Sequence, residues 1–232
     1  MLERDPKYQT GEPEGPEQYA PPVIISRDTY RENRIPPGQS RTRKWPVLQW
    51  GRIPEIPPEE WTLEVTGLVE RPLRFTYEEF RALPRVKVFS DFHCVTRWSR
   101  LGNVWEGVSV QELMNRAGVK PEARFVVARG NDDGWTTNMP LSDFQQPDVL
   151  LADTHDGEAI SFEHGGPVRL VVPLLYAWKS AKWCSELVFL DHDQPGLWEQ
   201  QGYHNHGDPW LEERFGSETL PPGWNEEENM SI

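Results

Sequence analysis

One of the two cysteines in this 232-residue chain, Cys94, lies in "SDFHCVTRWSR" (90–100), flanked by His93 and Arg97 with Asp91 and Trp98 close by. On residue type alone a cysteine is a small buried thiol. Cationic neighbours favour its thiolate, the form that acts as nucleophile or metal ligand. A second stretch, "EHGGPVRLVVP" (163–173), sets Arg169 in an apolar run behind a Gly-Gly-Pro turn. Strand alternation points Arg169 away from Val168 and Leu170. A buried guanidinium needs an anionic partner, and a carboxylate is the ordinary one. A third, "YAWKSAKW" (176–183), spaces Lys179 and Lys182 three apart, on one face of a helical turn, with Ser180 between them. Such a turn offers a phosphate free amides, a hydroxyl and two cations. Lysine pairs are ordinarily solvated, but tryptophans flank both of these.

Other chemistries are poorly served. A structural zinc site wants four closely paired Cys or His ligands. The six histidines (93, 155, 164, 192, 204 and 206) form neither HExxH nor, with two cysteines, a CxxC pattern. A zinc site from His93, Cys94 and a distant histidine stays open on weak support. No Gly-rich phosphate loop, dinucleotide fingerprint or GxSxG elbow is present.

The net charge of −13 argues against broad nucleic-acid binding. Ten of those charges fall after Ser185, where eleven acids face Arg214 alone, whereas His164 to Ser185 holds Arg169, Lys179 and Lys182 and no acid. A basic island in an acidic chain is a candidate anion site. The polar start "MLERDPKYQT" lacks an apolar signal core and no run is long enough to span a membrane, which predicts a cytoplasmic protein with reduced thiols.

The elements that must hold these residues are short. Half of the 22 prolines fall in the first 60 residues, so residues 1–44 are expected to form an extended arm, with "WPVLQWG" (45–51) docking on the body. Strands are predicted at 61–67, 86–92, 124–129, 149–153, 168–173 and 186–191, the fifth of them central and buried on both faces. Thr76 with Glu79 and Ser109 with Glu112 mark helix starts, and Gly118 a helix end. The pattern predicts an α+β fold of mixed β-sheets with short helices, one domain over 45–215, and an acidic, poorly ordered tail over 216–232.

"HCVTRWS", "GGPVRLVVP", "WKSAKW" and "GYHNHGDPW", in that order, resemble the molybdopterin-binding domain of the sulfite oxidase family. Within it the chain is most similar to the short bacterial sulfite oxidase-like oxidoreductases related to the methionine-sulfoxide reductase catalytic subunit. The resemblance covers about Trp45 to Phe215 and implies molybdenum-molybdopterin as cofactor, with Cys94 as the protein's ligand to the metal. It further implies cofactor contacts from Trp45, Leu48, Gln49, Gly130 (through backbone), His164, Arg169, Ser180, Ala181 and Lys182. Arg97, His93 and Asp91 are the candidate catalytic neighbours of Cys94. The implied activity is oxygen-atom transfer on a small oxo-anion, sulfoxide or similar molecule, with a separate electron donor or acceptor protein. The alternatives are a non-catalytic cofactor-binding or storage module and a metal-free thiol enzyme using Cys94.

Overall fold

Strand periodicity and turn chemistry divide the chain into short elements. Over residues 15–216, which the computed structural model describes, they run β1 (Ile24–Ile25), β2 (Ser40–Thr42), β3 (Thr62–Gly67), β4 (Leu73–Thr76), α1 (Tyr77–Arg81), β5 (Val86–His93), β6 (Trp98–Ser109), α2 (Val110–Ala117), β7 (Phe125–Gly130), β8 (Thr136–Pro140), α3 (Leu141–Phe144), β9 (Leu150–His155), β10 (Glu158–Ala159), β11 (Arg169–Val171), β12 (Cys184–Leu190) and α4 (Leu197–Gln200). The expected acidic tail lies, but for Gly216, outside the described residues. The larger sheet orders β1-β5-β6-β9-β10, with β2 beside β6 and β11 beside β9; the smaller orders β4-β3-β12-β7-β8. Pairing is antiparallel except for β1 with β5, β2 with β6 and β3 with β12. Mixed sheets with few short helices are the α+β architecture that the sequence predicts.

Local chemistry explains the helix ends. Thr76 Oγ1 accepts from the Glu79 amide (3.3 Å) while the Glu79 carboxylate accepts from the Thr76 amide (2.8 Å), a complete capping box. Ser109 caps α2 through the Gln111 amide, and Glu112 pairs instead with Arg116 one turn on. Gly118 ends α2 in the left-handed conformation.

One expectation changes. β11 is buried throughout, but it is not central: among the described strands it pairs with β9 alone, and its other edge bonds to the following loop, Leu170 N to Ala181 O. The described part of the arm adds β1 and β2 to the larger sheet.

The core lies between the sheets, where Trp61, Leu63, Phe80, Leu113, Leu151, Leu170 and Phe189 are fully or almost fully buried. The other face of the larger sheet packs Val88, Phe92, Trp105, Leu150 and Val171 beneath Trp45 and Trp98. β9 and β11 send alternate residues to these two clusters. The ends of the described chain are clasped together. Trp210 Nε1 donates to Asp28 (2.9 Å) beneath the Arg31 guanidinium, and Arg214 donates to the carbonyls of Val95 (2.7 Å) and Pro37 (3.2 Å).

His155 ends β9 between the rings of Trp45 (4.3 Å) and Trp105 (4.4 Å), with Nε2 3.0 Å from Asn103 Oδ1 and 3.1 Å from Arg100. Burial, reinforced by Arg100 and Arg169 against Asp156, pushes it down to about 3. The unfolded chain therefore takes up a proton near pH 6.5 that the folded chain refuses until about pH 3. Its contribution to stability is complete above the unfolded value and is lost as pH falls through that window. Urea unfolding at pH 7, 6 and 5 should show stability falling, and His155→Gln should remove up to about 1.4 kcal/mol of that loss per pH unit.

Candidate active site

The 45–51 segment crosses the larger sheet and closes a cavity of about 450 Å³ against the β5–β6 turn, β11, the loop 177–183 and the turn 131–135. Cys94 stands in its wall because it follows β5 on the same side as Phe92, which also lines it. The hairpin turn fixes the thiol: Cys94 N bonds to Trp98 O (2.9 Å), Arg97 N to Cys94 O (3.1 Å), and Arg97 takes a left-handed φ of 71°. Gln39 holds the Cys94 carbonyl from the arm (2.9 Å). Thr96 Oγ1 donates to Sγ at 3.2 Å. Burial raises the thiol pKa, with Thr96, Arg214 and Lys182 opposing it. Arg214 is a cation that the sequence predictions passed over; its signal was to be the lone base of an acidic segment.

Arg169 is buried, and it points as alternation predicts, away from Val168 and Leu170 and into the cavity wall. Its partners are not the carboxylate that the sequence favours. The guanidinium donates to the carbonyls of His164 (2.7 Å) and Ser180 (3.0 Å) and lies 5.3–5.8 Å from the ring centres of Phe92, Trp45 and Trp105. No carboxylate pairs with it among the described residues. Burial pushes its pKa down to about 9, the mark of a cation short of a counter-charge.

The two lysines do not share a face, because the turn ends as a 3-10 helix at Lys179. Lys179 is fully buried and bound to Glu199 (2.5 Å) and to the carbonyls of Asn138 (2.8 Å) and Asn205 (2.7 Å). Lys182 turns into the cavity wall, where Nζ reaches the carbonyls of Leu48 (2.8 Å) and Glu163 (2.7 Å). Burial, with Arg169 as the next cause, pushes it down to about 7. A side chain at Gly165 (φ 96°) would lie 2.7 Å from the Lys182 Cβ, so glycine lets this turn close.

Trp45, Leu48, Gln49 and Ser180 also line the cavity. Trp45 stacks on His164 (3.8 Å, 8°), whose imidazole burial, Arg169 and Lys182 hold neutral, down to about 3. His164, Ala181 and Gly130 stand behind the wall, the first through the stack and the second through its bond to Leu170. His93, Asp91 and Arg97 are not brought into the cavity. His93 faces the opposite side of β5, with Nδ1 2.8 Å from Ser99 Oγ. Asp91 pairs with Arg34 (2.6 Å) and accepts from the Gly102 amide (2.9 Å). Asp132 and Trp135 are lining residues outside the stretches that sequence patterns singled out.

The wall thus offers one thiol, two cations facing inward and a broad aromatic surface. No group of three or more His, Cys, Asp or Glu able to hold a metal exists among the described residues. A metal here must bring its other ligands with it. The donor set fits an anionic, ring-bearing group carrying a soft metal.

The oxidoreductase molybdopterin binding domain family matches residues 50–198. The chain is 46% identical over 191 residues to the oxidoreductase YuiH of Bacillus subtilis, covering 82% of this chain and 96% of that protein. It is 29% identical over 167 residues to the protein-methionine-sulfoxide reductase catalytic subunit MsrP of Gluconobacter oxydans, covering 65% and 53%. Among solved structures it is similar to the sulfane dehydrogenase SoxCD of Paracoccus pantotrophus, with a TM-score of 0.58, 28% identity, and coverage of 65% and 42%. The chain spans nearly all of the first of these and about half of the other two.

Lys179→Ala would leave the Glu199 carboxylate buried without its cation. Breaking such a pair costs about 3–5 kcal/mol, so melting should fall on the order of 10 °C in calorimetry. Lys182→Ala, which frees only two carbonyls, should melt close to the parent protein.

Proposed function

The chain belongs to the oxidoreductase molybdopterin binding domain family, and from that premise we propose that the cavity beneath the 45–51 segment binds its cofactor and transfers an oxygen atom to or from a small sulfoxide, oxo-anion or similar molecule. The chain is a molybdopterin-dependent oxidoreductase with the sulfite oxidase type of fold. The observation that carries the site is Arg169: a guanidinium buried without a carboxylate, in the wall of a cavity that also holds the Cys94 thiol.

When bound, molybdenum-molybdopterin supplies two-electron redox chemistry at the metal. Cys94 Sγ is the protein's thiolate ligand, and the hairpin turn pre-sets its position. Arg169 and Lys182 bear the terminal phosphate, the first with a planar fork and the second as a point charge. Ser180, Ala181 and Gly130 contribute through backbone, and neutral His164 supports the lid through its stack on Trp45. Trp45, Leu48 and Gln49 cover the group and exclude water. His93, Asp91 and Arg97 act at one remove, as positioning residues that hold the strand and turn carrying Cys94.

The relatives named for methionine-sulfoxide reduction and sulfane dehydrogenation support sulfur-centred substrates. Burial raises the Cys94 thiol pKa, which disfavours the free thiolate that a metal-free thiol enzyme would use. The unpaired Cys94 and Cys184 support a reducing, cytoplasmic setting, and no helix among the described residues is long and apolar enough to cross a membrane. A separate protein would exchange electrons at the rim, where Trp50 is exposed. The division into arm (1–44), domain (45–215) and tail (216–232) remains part of the proposal, with the described arm acting as an anchor for the lid.

Protein purified from a host that makes molybdopterin should contain molybdenum and an oxidisable, fluorescent pterin; protein free of both would overturn the proposal. Cys94→Ser should abolish turnover with an artificial electron donor while pterin content falls less, and unchanged turnover would remove Cys94 from the metal. Arg169→Ala and Lys182→Ala should each weaken cofactor retention roughly ten- to a hundredfold, the loss of one charge-assisted bond. Arg169→Lys should recover only part of it.

A further inference from the structure

The turn between β7 and β8 brings one more ionisable group to the cavity. Asn131 N bonds to Trp183 O (3.0 Å), Trp135 N to Asp132 O (3.1 Å) and Gly130 N to Trp135 O (3.0 Å), which folds the turn tightly against the loop bearing Lys182. Asp132 lines the cavity. Its carboxyl is folded back over Gly130: a side chain there would overlap Asp132 Oδ1 and lie 2.9 Å from the Lys182 carbonyl. Glycine at 130 thus makes room for the carboxyl of 132. Oδ1 is buried and has no hydrogen-bond partner among the described residues. A buried polar atom without a partner, in the wall of a cavity, is a group that a ligand completes.

We propose that Asp132 is a further cofactor-binding residue, which meets the bound group as a neutral carboxyl and donates a hydrogen bond to it. This rests on the proposed cofactor site. An ionised carboxylate there would face a ligand that carries phosphate charge, whereas a carboxylic acid can donate. Burial pushes Asp132 up to about 7, aided by Asp133 and opposed by its own backbone amide and Lys182. The acid form is therefore accessible near neutrality, and a bound anion favours it further. Binding should weaken as pH rises and the carboxyl ionises. Lys182, pushed down to about 7, loses its charge over the same range and weakens binding in the same direction. Only an Asp132 variant separates the two.

The test is release of cofactor from the holoenzyme at pH 6 and pH 8, read as fluorescence of the oxidised pterin in the filtrate. Wild type should release faster at pH 8. Asp132→Asn, neutral and still a donor, should match wild type at pH 6, exceed its retention at pH 8 and show a smaller pH ratio. Asp132→Ala should release roughly three- to tenfold faster at pH 6. If Asp132→Asn leaks as Asp132→Ala does at pH 6, the ionised form is the one required and the proposal fails. It also fails if Asp132→Asn keeps the full wild-type pH ratio. Wild-type protein that carries no pterin would instead overturn the cofactor site itself.

Discussion

Much of the structure around the cavity follows from one constraint: a guanidinium held inside the protein without a carboxylate among the described residues. Taking a charge out of water costs several kcal/mol even after the protein relaxes. Three carbonyls, of His164, Ser180 and Leu170, and three ring faces offset part of that for Arg169. The His164 carbonyl arrives from the Gly165–Pro167 turn and the Ser180 carbonyl from the loop after β11, so both segments are shaped by what they must deliver. The same constraint reaches the neighbouring imidazoles. His155 and His164 stay neutral because they are buried and because a further cation beside Arg169 would be unfavourable. An anion is the partner that the described residues do not supply.

The sequence discloses these features unevenly. Period-two alternation located β3 and gave the side of Arg169 correctly, since each depends on immediate neighbours. It missed β6, the longest described strand, because "WSRLGNVWEGVS" mixes two glycines and two charges with its apolar residues. Proximity in sequence misled at Cys94. His93 is adjacent in the chain but faces the other way, and Asp91 finds its cation 57 residues away in Arg34. Asp132 reads as an ordinary turn residue in "NDDGW"; only the fold reveals that its carboxyl occupies the space of a missing side chain at Gly130. The ten site residues named from resemblance rest on the same ordered motifs; the geometry puts Asp132 in the cavity lining and the Arg214 charge near Cys94.

The two lysines illustrate how tertiary structure separates groups that look equivalent. Lys179 is satisfied by Glu199 and three oxygen acceptors from Asn138 and Asn205, so it serves the fold. Lys182 holds only carbonyls and faces the cavity, so its charge is available to a ligand.

The clasp between the ends of the described chain has a consequence for how the molecule assembles. Lys182 meets Leu48 across 134 positions, Arg214 meets Pro37 across 177, and Trp210 meets Asp28 across 182. Contacts so remote along the chain repay their loop-closure entropy only when the intervening body already exists. Synthesis proceeds from the N-terminus, so the 45–51 segment is made long before the loop whose Lys182 fastens it, and the smaller sheet is completed only after that loop, by β12.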